Sequence, residues 1–171
     1  MRPAARYISL AVVGVGITTL DQATKAYIMQ TMRLHESISV LQDFFSLTYI
    51  RNPGAAFGLL ASSSHEFRLL FFGVTSILAL LLLGMIFFRL REDDWVGQLS
   101  VAGILGGAIG NLLDRVRLGE VIDFLDFSIK GYHWPAFNVA DAAISVGVFV
   151  LVLHLAFEKR ETNVAIQQER S

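Results

Sequence analysis

From Leu69 to Phe88 the chain carries no charged residue, and from Trp95 to Leu113 it again carries none. A bilayer core takes roughly 20 consecutive apolar residues per helical crossing. In hydrocarbon the backbone must satisfy its own polar groups, so a run of that length reads as a helix. Two further windows are nearly as apolar, and one of them is broken only by Asp141 and His154. The windows predict membrane-spanning helices at about 7–29, 67–88, 95–113 and 137–157. Only 17% of the chain is charged and 54% is hydrophobic, against about 25% charged in a soluble domain. One integral membrane domain, 1–171, therefore accounts for the chain: an all-α, four-helix bundle.

Arg2 and Arg6 precede the first run as in a secretory signal. The run continues to Met29 with no small-x-small cleavage pattern, and reads as a retained helix. Four crossings put both termini on one side, and the two leading arginines favour the cytoplasm. The longer connections, about 30–66 and 114–136, are then extracytoplasmic. Ser37–Leu41, Phe44–Ile50 and Glu120–Phe127 are rich in β-branched and aromatic residues and read as strands. A small sheet on the outer membrane surface is expected, and from Glu158 onward a frayed, solvated tail.

The formal net charge of −1 gives no reason to expect a nucleic-acid partner. Cysteine is absent, which excludes disulfides, thiolate metal sites and cysteine nucleophiles. His35, His65, His133 and His154 show no ligand spacing, so no metal is expected. The three lysines offer no evident base for a serine nucleophile.

Ionisable groups within membrane segments suggest function. Asp114 closes the third segment in Asn111-Leu112-Leu113-Asp114-Arg115. Asp141 opens the fourth in Asn138-Val139-Ala140-Asp141. Each follows an asparagine by three residues, the spacing that shares a helix face. One segment exits where the next enters, so the two aspartates lie at similar depth and can face one pocket. Two carboxylates in a poorly solvated site cannot easily both ionise, and a pair sharing one proton can activate water. Spacing alone also fits helix capping or a proton or ion path.

The same residues resemble the catalytic blocks of lipoprotein signal peptidases, the bacterial signal peptidase II family. Asp21-Gln22-Ala23-Thr24-Lys25 is similar to that family's first-helix segment. Arg51-Asn52-Pro53-Gly54-Ala55-Ala56-Phe57-Gly58 and Val121-Ile122-Asp123-Phe124 resemble two more of its blocks, in family order. The resemblance implies four helices in the bacterial cytoplasmic membrane, both termini inside, an extracytoplasmic β-cradle and no cofactor. It implies cleavage of diacylglyceryl-modified prolipoproteins before the lipidated cysteine, and inhibition by globomycin-type cyclic peptides. By carry-over Asp114 and Asp141 form the catalytic dyad, with Asn52, Asn111, Arg115 and Asn138 supporting the site or binding substrate.

Plainer roles suit the remaining residues. Asp21 and Lys25, spaced i, i+4, read as an intrahelical ion pair supporting the site. Gly54, beside Asn52 in a turn, suits a backbone conformation closed to side chains. Gly103, Gly106, Gly107 and Gly110 suit close helix packing in a monomer. Asp123 and Asp126 read as solvated loop carboxylates. The competing functional reading is a proton-coupled transporter using the same carboxylates, although transporters usually carry internal repeats and broken helices.

Overall fold

The computed structural model describes residues 3–54, 60 and 63–169, with side chains over 5–54, 60 and 63–157. The block Ala55-Ala56-Phe57-Gly58 lies outside the described residues. The element order is α1 (Pro3–Thr31), β1 (Ser37–Leu41), β2 (Phe45–Asn52), α2 (His65–Arg89), α3 (Trp95–Leu118), β3 (Val121–Ile129), β4 (Tyr132–His133) and α4 (Val139–Glu169). The backbone beyond Glu158, expected to fray, continues helical to Glu169.

Among the described residues three helices are long and apolar enough to cross a membrane: α2, α3, and α4 over Val139–Phe157. At about 1.5 Å per residue the 29 residues of α1 also exceed a bilayer core. Its composition is more polar, because it carries Thr18, Asp21, Gln22 and Lys25. Those groups turn inward onto α3. The Thr18 hydroxyl donates to the Gly106 carbonyl at 2.8 Å and the Gln22 amide to the Gly110 carbonyl at 3.1 Å. The outward face keeps Ile8, Val12, Val15 and Leu20 exposed.

Helix α3 is the centre of the bundle. Of its most apolar stretch 61% is buried, against 11% for α2 and 17% for α4. Its glycines make this possible. A Cβ on Gly106 would stand 2.6 Å from the Gly14 carbonyl oxygen of α1, and one on Gly107 would stand 2.5 Å from the Ala140 carbonyl oxygen of α4. Both neighbouring backbones therefore approach α3 more closely than any side chain there would permit.

The strands form one antiparallel sheet in the order β1-β2-β3-β4. It lies at the end of the bundle where α1 and α3 finish and α2 and α4 start. Ser64 caps α2 there, accepting from the Phe67 N–H at 3.3 Å. Ile28 and Met32 of α1 pack against Tyr49, Ile122 and Phe124 of the sheet in one apolar core. The pairing of β2 with β3 shifts register between Leu47 and Ile50, then resumes as Ile50↔Asp123, Arg51↔Ile122 and Asn52↔Val121. Two residues of β2 stand opposite one of β3 in that gap, a bulge that re-aims the strand. Beyond it, Asn52 and Asp123 are diagonal neighbours on one face.

Candidate active site

Four elements meet at a cavity of about 870 Å³ between the sheet and the bundle. Strand β2 and the turn after it supply Asn52 and Gly54, β3 supplies Val121 and Asp123, α3 supplies Asn111 and Arg115, and α4 supplies Asp141 and Ser145. Asn138, fully buried, ties them together. Its side-chain oxygen accepts from the Asp141 N–H at 2.9 Å, and the Asp141 carboxylate accepts from the Asn138 N–H at 3.3 Å. This reciprocal arrangement is a capping box with an aspartate in the third helical position. It fixes the Asp141 carboxylate at the first turn of α4. The remaining Asn138 amide hydrogens reach the Asp123 carboxylate at 2.8 Å, the Ile122 carbonyl at 3.2 Å and the Asn111 side-chain oxygen at 3.2 Å.

The structure corrects the expectation that Asp114 and Asp141 share one pocket. Asp114 is buried and turned toward α1. Its carboxylate pairs with the Lys25 ammonium at 2.8 Å, accepts from the Gln22 amide at 2.9 Å and from the Ile122 N–H at 3.2 Å. It does not line the cavity. The reason is helical rotation: three residues on from Asn111, the side chain faces α1, whereas Asn111 reaches α4. Lys25 also pairs with Asp21 at 2.8 Å, and Asp21 accepts from the Ala140 N–H of α4 at 2.9 Å. The expected Asp21–Lys25 ion pair is therefore present, as part of a buried three-residue cluster joining α1, α3 and α4.

Asp123 belongs to a strand, as its β-prone stretch predicted, but the carboxylate read from sequence as solvated is instead only 2% exposed. It faces the same cavity as Asp141. Its carboxylate accepts from Asn138 at one oxygen and from Asn52 at the other, 2.9 Å away. The Asn52 side-chain oxygen in turn accepts from the Gly54 N–H at 3.0 Å, closing the turn after β2. Burial pushes the Asp123 carboxyl up to about 7; nearby Asp141 adds to the rise, while the Asn52 and Asn138 donors oppose it. The signal for Asp123 was present in the sequence: it is the charge inside an otherwise apolar β-prone run, Val121-Ile122-Asp123-Phe124-Leu125. Asp126, further along β3, pairs with His133 at 2.9 Å, outside the cavity.

Asp141 accepts from the Asn111 amide at 2.8 Å. Arg115 lies at the cavity edge, donating to the Asn111 carbonyl at 3.3 Å with its guanidinium 4.6 Å from the Phe72 ring of α2. The site is therefore two carboxylates, three asparagine amides and one guanidinium in a largely apolar hollow. Among the described residues no three histidine, aspartate or glutamate side chains converge as metal ligands. Two carboxylates facing one hollow, with Asp123 pushed up to about 7 by burial, are suited to moving protons to and from a bound water.

Comparison with known proteins places this architecture. Residues 13–157 match the family model for signal peptidase II. The lipoprotein signal peptidase of Geobacter sulfurreducens is 51% identical over 160 residues, covering 94% of this chain and 98% of that protein. That of Desulforapulum autotrophicum is 49% identical over 152 residues, covering 89% and 94%. A bacterial membrane enzyme solved by the in meso method at 2.3 Å superposes with a TM-score of 0.79 at 33% identity, over 88% of each chain. A second, at 1.9 Å, gives 0.76 at 35% identity, over 85% of this chain and 91% of that one. The chain belongs to the signal peptidase II family, and is a peptidase by that membership.

Proposed function

We propose that this protein is an aspartyl endopeptidase that removes signal peptides from diacylglyceryl-modified prolipoproteins, with Asp123 and Asp141 as its catalytic pair. The observation carrying this reading is that both carboxylates line one cavity and are bridged by Asn138. Asp123, with its carboxyl pushed up to about 7 by burial, holds the shared proton. Asp141, whose two oxygens each accept an N–H, acts as the base.

In the first step Asp141 takes a proton from water as its oxygen attacks the scissile carbonyl carbon. Asp123 gives its proton to the carbonyl oxygen, leaving a neutral gem-diol. In the second step the proton on Asp141 passes to the leaving nitrogen, the C–N bond breaks, and Asp123 recovers a proton from the diol. No metal or organic cofactor is required. Arg115 and the Asn52–Gly54 turn hold the extended peptide beside the pair, in the manner of an added strand. A globomycin-type cyclic peptide would occupy the same hollow.

Helix α1 serves as the fourth crossing, its polar groups being turned onto α3. Both termini then lie in the cytoplasm with Arg6, Arg89 and Arg91 at that end, and the sheet lies on the extracytoplasmic face of the bacterial inner membrane. Acyl chains on the substrate cysteine remain in hydrocarbon beside the bundle. They fix the depth of the scissile bond, which lowers the entropic cost of reaching the reactive geometry. The test is incubation of purified protein with a diacylated prolipoprotein and with its unlipidated form in the same detergent. Cleavage of the diacylated form at a much higher rate is expected. Equal rates at matched subsaturating concentrations would refute lipid-dependent recognition.

A further inference from the structure

We infer that Lys25 is a positioning residue for Asp141, acting across α3 through the side-chain amide of Asn111. The inference rests on the reading of Asp123 and Asp141 as the reacting pair. It goes beyond the ion-pair role that the spacing of Asp21 and Lys25 suggests.

An ammonium group has three N–H donors and no acceptor. Lys25, only 1% exposed, directs them to Asp21 at 2.8 Å, Asp114 at 2.8 Å and the Asn111 side-chain oxygen at 2.9 Å. Only the oxygen of the Asn111 amide can face such a group. Asn138 aims a second N–H at the same oxygen, 3.2 Å away. Two donors on that oxygen turn the Asn111 NH₂ to the opposite side, where it meets Asp141 Oδ1 at 2.8 Å. The flipped amide would set N–H against ammonium, N–H against the Asn138 amide, and oxygen against a carboxylate. All three contacts would be repulsive, in a place where an unsatisfied polar group is costly.

Asn111 is thus a donor of enforced orientation. A donor aimed at Asp141 favours the carboxylate over the acid, which is the form a base requires before water attacks. The two aspartates of the cluster have donors besides Lys25. Asp21 accepts from the Ala140 N–H, and Asp114 accepts from Gln22 and from the Ile122 N–H. Charge compensation alone would leave the third ammonium hydrogen without a required target. Its target is the amide that touches the base.

The experiment separates positioning from charge compensation. Lys25→Met alone leaves two buried carboxylates uncompensated. Lys25→Met combined with Asp114→Asn removes one cation and one anion, and so keeps the formal charge of the cluster. For that double variant we expect a native unfolding transition, KM for a diacylated prolipoprotein close to that of the unaltered enzyme, and kcat lower by about 100-fold, the scale of a misplaced reacting group. The acid limb of its kcat profile should move to higher pH, because the base has lost an oriented donor, while the alkaline limb set by Asp123 should stay in place.

Asn111→Leu keeps the Lys25 ion pairs and deletes the amide. It should lose a similar factor in kcat, and adding the two cluster substitutions to it should cost little more. A double variant with kcat within a few-fold of the parent would overturn the inference, as would losses that multiply in the combined variant. If the double variant does not fold, Asn111→Leu decides alone: unimpaired kcat there overturns the inference, and a large loss with KM preserved supports it. None of these outcomes alters the test of the pair itself, which is read from Asp123 and Asp141 variants.

Discussion

The chain carries the pattern Asn-x-x-Asp twice, and its two copies do different physical work. In α4 the pattern sits at a helix start. Asn138 and Asp141 cap one another reciprocally, so the spacing serves the backbone and delivers the carboxylate to the cavity. In α3 the pattern lies within the helix, where the backbone N–H groups are already bonded. Asn111 and Asp114 both meet Lys25, but Asn111 reaches on to Asp141 while Asp114 stays on the α1 side. One spacing therefore produces a cap in one setting and a two-sided spacer in the other. The lesson is that i, i+3 spacing fixes relative rotation on a helix, while the identity of the facing partner depends on which helices pack on either side.

Neutralising the aspartates one at a time should separate the two copies of the pattern most sharply. Asp123→Asn and Asp141→Asn should each reduce cleavage by about 10³-fold or more with the fold retained, since each transfers a proton in the proposed reaction. Asp114→Asn should retain measurable turnover; equal loss at Asp114 with an unaltered unfolding temperature would return it to the reacting pair. Stability should invert the ranking. Asp114→Ala removes a partner from a buried ammonium and should cost about 3 kcal/mol, read as a lowered unfolding temperature in detergent, with a smaller shift for Asp141→Asn.

A finer effect concerns protonation. In the proposed mechanism Asp123 holds its proton for the first step, so kcat/KM, which reports the free enzyme, should fall as pH rises through about 7. The Asn52 N–H favours the charged form of Asp123. Asn52→Leu should therefore move that limb to higher pH, and a shift to lower pH would contradict the assignment. The smallest expected effect is none: EDTA should leave the rate unchanged, and a loss restored by zinc would contradict a purely carboxylate mechanism.

Much of the fold was readable because hydrocarbon imposes a coarse rule. The uncharged runs at Leu69–Phe88 and Trp95–Leu113 became α2 and α3, and the β-prone runs became β1, β2 and β3. The site was less readable. Asp141 announced itself as a charge in an apolar helix beside its capping asparagine. Asp123 was missed because a carboxylate outside the spanning windows looked solvated, although β-branched and aromatic neighbours on both sides marked it as strand. Asp114 lies near the end of α3, as its place in the sequence predicted, but its carboxylate faces Lys25 and Gln22 and does not line the cavity. Depth follows from counting residues, whereas facing depends on the packing of α1 against α3. That packing is set by Gly14 and Gly106, a pairing distant in sequence. The role of Asn52 depends on the bulge between Leu47 and Ile50, for which the residues give no evident signal.

Phe137, the residue just before Asn138, is bonded to β3 by its main chain. Its carbonyl accepts from the Phe124 and Leu125 N–H groups at 3.0 and 2.8 Å, and its own N–H donates to the Leu125 carbonyl at 3.1 Å. Its ring stacks on Phe127, which stacks on Phe45. Asp123 and Asp141 thus stand on two pieces of backbone clasped immediately beside them. Their spacing is held by main-chain geometry, which side-chain rotations elsewhere leave alone. In the terms of amide exchange, the start of α4 and the middle of β3 should open as one unit. If substrate bends the sheet, this clasp should carry both acids together and keep the distance between them.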